Sequence, residues 1–486
     1  MRLSAVLPKF LTLPSGAPDP DVTAITAASN AVEPGAIFAA LPGVKTDGAN
    51  YVPDAIKRGA RAIIASPGKV TGVPDGVALI ETENPRRALA LIAAKFFEPQ
   101  PDTIVAVTGT SGKTSVADFT RQIFAACGHQ AASVGTIGVV KPSGAVYGSL
   151  TTPDPVTLHA TLQGLAKEGV THVAMEASSH GLDQNRLDGV RLAAAAFTNL
   201  GRDHMDYHPT VEHYFHSKMR LFTELLGGWP AAAVINMDSG WADRVLNIVK
   251  SSPNVEEIFT VGAKGDDFKL LAVERTGFRQ RLKIRIADEV YEVVLPLVGT
   301  YQVENALVAL ALACATGKVG TGEAVAALNH LKGVSGRLEI VGEARGGLSI
   351  VDYAHKPEAL VAALDACRPF VTGKLICVFG CGGDRDKGKR PIMGKIAADK
   401  ADVVIVTDDN PRTEVPSAIR AEILAAAPGA REIGDRAEAI AAAVAMMGEG
   451  DVVLVAGKGH ETGQIVGNTV KPFSDHDELR RALERS

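Results

Sequence analysis

The sequence predicts an α/β protein of three domains: a small N-terminal α/β domain, a central parallel-sheet domain with an antiparallel annex, and a C-terminal Rossmann-like α/β domain. Three observations carry that expectation. The chain has 486 residues, more than one hydrophobic core usually supports. Apolar and β-branched runs alternate along most of it with segments of helical period, the order that builds parallel sheets. A glycine loop, Thr108-Gly-Thr-Ser-Gly-Lys-Thr-Ser115, stands between the apolar run Ile104 to Val107 and the helical segment Val116 to Cys127.

Composition narrows the class. The net charge is −5 with both signs dispersed, which leaves no basic face for a nucleic acid. The five cysteines are odd in number and irregularly spaced, which points to reduced thiols in a cytoplasm. Cys377 and Cys381 bracket a strand end; with no His or Cys partner at ligand spacing, they read as structural rather than metal-binding. No basic segment followed by an apolar run opens the chain, and no stretch of about 18 apolar residues occurs, so neither export nor membrane insertion is expected.

Residues 1–99 form the first domain. Strands are expected at Ala36 to Ala40, Ala62 to Ala65 and Val77 to Ile80, with helices at Tyr51 to Gly59 and Pro85 to Phe97. Leu41 to Gly48 reads as a turn of the chain. The proline-rich Glu98-Pro-Gln-Pro-Asp102 is the linker that follows.

Residues 100–333 form the second domain. In the glycine loop, Gly109 and Gly112 let backbone N–H groups turn inward on a phosphate, and the next helix adds its positive end. Lys113 would reach the outer phosphates, and the Thr114 hydroxyl would take a place on Mg²⁺. The spacing G-x-x-G-K-T is two residues shorter than the common phosphate-loop motif, so a bare glycine turn also stays open. Strands are expected at Ala132 to Ile137, His172 to Ala177, Ala193 to Thr198 and Ala231 to Asn236, with polar residues gathered where they end. Glu176, after an apolar run, is expensive to place without a partner and is a candidate magnesium ligand. His204 and His208 flank Asp206 in a polar loop, and Lys218 read by itself is a surface lysine. Residues 268–298 switch to strand alternation with a turn at Ala287-Asp288-Glu289. Asn305, in the helix that follows, could read an adenine edge or cap a turn.

Residues 334–486 form the third domain. Strands are expected at Ser349 to Tyr353, Leu375 to Gly380, Val403 to Thr407 and Val452 to Ala456. Three polar, glycine-rich strand ends follow, namely Gly380 to Arg390, Asp408-Asp-Asn-Pro-Arg412 and Ala456-Gly-Lys-Gly-His-Glu461. Their density of Arg, Asp and Glu suits a zwitterion such as an amino acid better than a second phosphate.

Taken together, these motifs resemble the Mur ligases, the ATP-dependent amino-acid-adding enzymes of peptidoglycan synthesis, over nearly the whole chain. The short phosphate loop is that family's own variant. The resemblance implies an ATP site from Gly109, Thr110, Ser111, Gly112, Lys113, Thr114 and Ser115, with Asn305, Arg337 and Asp352 contacting adenine, phosphate and ribose. It implies contacts to a UDP-N-acetylmuramoyl-dipeptide from Ser29, Thr151, Thr152, Ser178, Gln184 and Arg186. Glu176, His204 and Lys218 join Thr114 around Mg²⁺, and Lys218 matches the lysine this family carries as a carbamate (N6-carboxylysine). Lys113, Glu176, His204 and Lys218 are then the catalytic set. Arg385, Asp409, Asn410, Pro411, Arg412, Gly457 and Glu461 are implied contacts to the incoming amino acid. The Arg at the end of Asp409-Asn-Pro-Arg412 resembles the meso-diaminopimelate-adding group, against lysine-adding relatives. Two departures stand out: the family's N-terminal Asp-Ser-Arg is Ala28-Ser29-Asn30 here, and Gln302 stands where Asn is more usual. The expectation is a cytoplasmic monomer acting on ATP, the UDP-muramoyl-dipeptide and meso-diaminopimelate, with no nucleic-acid partner. L-lysine addition, a folylpolyglutamate synthase-like ligase and a nucleotide-binding regulator without ligase chemistry stay open as alternatives.

Overall fold

The computed structural model describes residues 1–43, 46–146, 148, 150–227 and 231–485. Two positions of the Leu41 to Gly48 turn, 44 and 45, therefore lie outside the described residues. The chain divides into two compact units, residues 1–261 with 311–320 and residues 262–310 with 321–486.

The first unit opens with a four-stranded parallel sheet in the order β1 (Ala24–Thr26), β2 (Ala36–Ala40), β3 (Ala62–Ala65), β4 (Ala78–Glu81). Every residue of β2 and β3 is buried. Ile37, Ala39, Ala62 and Ile64 enter one core, while Ala36, Phe38, Ala40, Ile63 and Ala65 enter another. A sheet covered on both faces needs apolar residues at every position, which is why these strands read as unbroken apolar runs. The helix Pro85–Phe96 covers one face; Asn84 caps it by accepting from Arg87 N, and Pro85 occupies its first turn. The helix expected over 51–59 is shorter, Val52–Lys57, and is preceded by a 3₁₀ turn at Gly48–Tyr51.

The second sheet of this unit contains β5 (Thr103–Thr108), β6 (Ala131–Gly135), β7 (Gly138–Lys141), β8 (Gly144–Val146), β9 (His172–Glu176), β10 (Leu192–Phe197), β11 (Ala232–Asn236) and β12 (Glu257–Gly262). Its order is β12-β11-β10-β5-β9-β6-β7-β8, parallel up to β6 and antiparallel beyond. Register aligns Thr108 with Phe197 and Val107 with Glu176, so the glycine loop, the Glu176 segment and the segment after Phe197 leave one carboxyl edge side by side. The strand expected over 132–137 stops at Gly135. Glu176 holds the amide of Thr136, and the chain reverses into the β7–β8 hairpin, which has no counterpart in the sequence reading.

In the second unit, β13 (Phe268–Thr276), β14 (Arg279–Ile286) and β15 (Glu289–Leu295) form the antiparallel annex, with a further turn at Gly277-Phe278 beside the one expected at 287–289. The main sheet runs β16-β17-β21-β18-β19-β20, from β16 (Glu339–Ala344), β17 (Gly347–Asp352), β18 (Leu375–Phe379), β19 (Val403–Val406), β20 (Arg431–Glu432) and β21 (Val452–Ala456). Only the β16–β17 pair is antiparallel. Leu348, Ile350, Cys377 and Phe379 point into one core and Val351, Ile376 and Val378 into the other. Cys381 is also buried, its Sγ 3.8 Å from Met393 Sδ, in keeping with a structural role. The hairpin of β22 (Gly463–Val466) and β23 (Thr469–Pro472) completes the unit. Among the described residues, no helix is long and apolar enough to cross a membrane.

Candidate active site

At the carboxyl edge of the first unit's larger sheet, β5 passes into the glycine loop and then the helix Lys113–Ala126. Gly109 has φ 151°, and a Cβ there would lie 1.9 Å from Thr198 Oγ1, so only glycine lets the loop close on its neighbour. Thr198 Oγ1 donates to Ser111 O (2.7 Å), Asn199 O accepts from Thr110 N (2.9 Å), and Asn199 Oδ1 accepts from Ser111 N (3.0 Å). Lys113 Nζ folds onto the loop, donating to the carbonyls of Gly109 and Thr110 at 2.9 Å each.

Lys218, on the helix Val211–Arg220, overturns its surface reading: it is 1% exposed. Its Nζ donates to Gly109 O (2.7 Å) and lies 4.4 Å from the centre of the Tyr214 ring. Burial, reinforced by the charge of Lys113, drives its pKa well below the usual lysine value, which favours the neutral amine.

Glu176 is 1% exposed at the end of β9. One carboxylate oxygen accepts from Thr136 N (2.7 Å) and the other from Thr136 Oγ1 (3.3 Å). A Cβ on Gly135 would come within 2.2 Å of that carboxylate, so the glycine is what admits it. His204 is placed differently: it is exposed, has φ 55°, and its ring nitrogen lies 3.6 Å from Asp203. Partial desolvation of the ring, with the charges of Lys113 and Lys218 nearby, lowers its pKa. Among the described residues no group of three or more His, Cys, Asp or Glu could hold a metal alone. Mg²⁺ fits this site in another way, since it takes one or two carboxylates together with waters and phosphate oxygens. Glu176 and the Thr114 hydroxyl would supply oxygen donors; Lys218 would join them only as an anion, because an ammonium repels a cation.

The residues expected around the UDP substrate interlock. Thr152 Oγ1 donates to Glu176 O (2.8 Å) and accepts from Ser178 N (3.1 Å). Arg186 donates to Thr152 O (2.7 Å) and to Gln184 Oε1 (2.8 Å), and Thr151 Oγ1 meets Thr136 Oγ1 at 3.0 Å. Ser178 caps the short helix after it by accepting from Gly181 N. A cavity of about 440 Å³ opens beside them, with Thr26, Ala28, Arg86, Asp154, Gln184 and Arg186 among its walls. Ser29 is half-buried and does not line this cavity; Ala28 beside it does. Arg86, a cation at this wall, was not foreseen; in the sequence it reads as one of two helix-surface arginines.

In the second unit, Asn305 is buried and donates to Gln302 Oε1 (3.0 Å), while Gln302 donates to Arg337 O (3.4 Å). The departure at Gln302 thus bridges two of the expected nucleotide contacts. Asp352 spends both carboxylate oxygens on backbone, accepting from Leu338 N and Ala354 N at 2.8 Å each. The Arg337 guanidinium lies 5.2 Å from the centre of the Tyr353 ring.

The three polar strand ends of this unit converge on one cavity of about 580 Å³, which Arg385, Asp409, Asn410, Arg412, Gly457 and Glu461 all line. Pro411 is buried between two of them. Arg412 Nη1 donates to Gly383 O (2.9 Å) and Asn410 O (3.4 Å), and its backbone is pinned by Arg412 N to Ile465 O (3.1 Å). The other face of the fork stays available for a carboxylate. Asp409 is buried, and burial raises its pKa against the opposing charges of Arg436 and Lys458. Three fully buried cations around this cavity were missed in the sequence: Arg390 on Glu414 and Glu422, Arg436 on Asp475, and Lys458. Lys458 lay inside a flagged glycine-rich end; nothing in the sequence marks the other two as buried.

Comparison with known proteins gives the same picture across the chain. Residues 21–97 match the description "Mur ligase family, catalytic domain", 107–313 "Mur ligase middle domain", and 336–459 "Mur ligase, glutamate ligase domain". A UDP-N-acetylmuramoyl-L-alanyl-D-glutamate--2,6-diaminopimelate ligase of Rhizobium meliloti is 58% identical over 95% of this chain and 94% of its own. A protein of the same name from Brucella melitensis is 58% identical over 97% and 96%. A solved structure of a ligase with that name superposes with a TM-score of 0.73 at 33% identity, covering 96% of this chain and 95% of the other.

Proposed function

The chain belongs to the Mur ligase family, and from that premise we propose that it joins meso-diaminopimelate to the D-glutamate of UDP-N-acetylmuramoyl-L-Ala-D-Glu, converting ATP to ADP and phosphate. It acts in peptidoglycan synthesis and hence in cell-wall biogenesis, cell shape and division, from the cytoplasm, where its five free cysteines stay reduced. The proposed domains are residues 1–99 for the UDP substrate, 100–333 for ATP and 334–486 for the amino acid. The observation that carries the amino-acid assignment is the single cavity shared by Arg385, Arg412, Asp409 and Glu461, cations and carboxylates together, as a zwitterion requires.

A carboxylate is a poor electrophile, so the γ-phosphoryl group first moves onto a D-glutamate carboxylate oxygen. The bond from γ-phosphorus to the β–γ bridging oxygen breaks and ADP leaves. The glycine loop and Lys113 hold the phosphates, and Lys113 exchanges its loop carbonyls for the charge that develops on them. Thr114, Glu176, His204 and a carbamylated Lys218 would hold Mg²⁺, which when bound would neutralise phosphate charge. The buried, neutral-prone amine of Lys218 is the form that adds CO₂, releasing a proton and leaving a carbamate anion. Thr151, Thr152, Ser178, Gln184 and Arg186 orient the UDP-muramoyl-dipeptide, and Asn305, Arg337 and Asp352 the nucleotide. The amine of diaminopimelate then attacks the acyl carbon, gives up a proton, and phosphate departs. The test is product analysis with UDP-muramoyl-dipeptide, ATP and meso-diaminopimelate, with Lys113→Ala beside the wild type. The tripeptide product and ADP should form in equal amounts and vanish in the folded variant; full activity in that variant would remove the nucleotide assignment.

A further inference from the structure

Lys458 follows β21 in the run Ala456-Gly-Lys-Gly-His-Glu461, and its side chain is 0% exposed. A lysine without access to water needs its charge balanced and its three donors occupied. Residues of the amino-acid cavity balance the charge and occupy two of the three donors. Nζ donates to Asn410 Oδ1 (3.0 Å) and Glu461 Oε2 (3.1 Å), and Asp409 Oδ1 lies 3.7 Å away. Asn410 in turn donates from Nδ2 to the same Glu461 oxygen (2.9 Å), and its own Oδ1 also accepts from Ile465 N (2.9 Å). Glu461 Oε2 is thus held by two donors, which leaves Oε1 for a ligand.

The neighbouring charges separate this lysine from a plain core ion pair. Arg436 is already matched by Asp475, with bonds of 2.7 and 2.8 Å between fully buried groups. Lys458 therefore has Asp409 and Glu461 to balance: two carboxylates against one ammonium, a wall of net charge −1. That is the charge complementary to a single substrate ammonium, in a cavity that Arg385 and Arg412, which suit carboxylates, also line.

We propose that Lys458 is a positioning residue for the amino-acid substrate, which fixes Glu461 through Asn410 and sets the charge of the wall that receives an ammonium group. The proposal rests on the amino-acid cavity assigned above, so the wild type must first ligate meso-diaminopimelate; if it does not, that assignment fails and not this one. Given that activity, steady-state kinetics of Lys458→Met should show KM for meso-diaminopimelate raised about tenfold or more, with KM for ATP and for the UDP-muramoyl-dipeptide within about twofold of wild type. Lys458→Gln, which keeps a donor without the charge, should fall between the two. In Lys458→Met combined with Glu461→Gln, KM for the amino acid should be close to that of Glu461→Gln alone, because both changes disable one unit. An unchanged KM for the amino acid, an equal rise for all three substrates, or effects that multiply in the double variant would each overturn the proposal. Failure of both Lys458→Met and Lys458→Gln to fold would do so too, by showing the lysine to be a core ion pair only.

Discussion

Lys113 and Lys218 donate to the same backbone carbonyl, that of Gly109, at 2.9 and 2.7 Å. Two ammonium groups on one acceptor repel each other, and the buried one yields: Lys218 is the lysine whose charged form is disfavoured. Lys218→Ala should therefore be nearly inactive and regain part of its turnover when small carboxylates are added, since an added anion can replace the carbamate. Lys218→Arg, which keeps a cation and cannot be carbamylated, should stay inactive without rescue. Wild-type turnover in Lys218→Arg would show that no carbamate is needed.

Gly135 and Glu176 make a second prediction. A methyl group at Gly135 would meet the buried carboxylate at 2.2 Å and its Cδ and Cγ at 2.8 Å, with little free space to move into. Gly135→Ala should lower kcat about tenfold or more and destabilise the fold by about 1–3 kcal/mol, as overpacking does. Activity assays and thermal melts read the two effects separately; wild-type kcat would show that Glu176 need not sit where the structure has it.

His159 is one source of acid sensitivity. His159 is buried, its Nε2 bonded to Asp188 O (3.0 Å) and its Nδ1 without a partner, and burial pushes its pKa down to about 4. A histidine at about 6.5 in the unfolded chain binds its proton before the folded one does. Stability is then unaffected above pH 6.5, is lost as pH falls from 6.5 towards 4, and loses nothing more from this group below that. The full effect is on the order of 3 kcal/mol. In His159→Gln the denaturation midpoint should fall less steeply over that window. An identical slope in both proteins would place the acid sensitivity elsewhere.

Substrate choice should follow Arg412. A diaminopimelate side chain ends in a carboxylate that lysine lacks, and an arginine fork built to receive it is left unpaired by lysine. In competition, the wild type should favour meso-diaminopimelate over L-lysine by about 100-fold or more in kcat/KM, and Arg412→Ala should lose most of that preference. Comparable values for both amino acids in the wild type would show that Asp409-Asn-Pro-Arg412 does not set specificity.

The sequence by itself determined what local chemistry determines. Runs such as Ile104 to Val107 and Val403 to Val406 are apolar throughout because both faces of their sheets are covered, so the α/β class was legible. The spacing of Gly109, Gly112, Lys113 and Thr114 marks a phosphate loop because a phosphate is gripped by consecutive residues of one turn. Burial of charge was not legible, because it depends on partners distant in the chain. Lys218 is a surface lysine until a segment 109 residues earlier supplies the carbonyl of Gly109. Strand β6 stops at Gly135, where tertiary register sets Glu176 against Thr136, and the chain turns there into β7. Lys458, Arg436 and Arg390 look like solvated cations in the sequence; only the folded sheet brings Asp409 and Asn410 to the first, Asp475 to the second and Glu414 to the third. A charge can be buried only where its counter-charge is delivered, and that delivery is decided by tertiary structure.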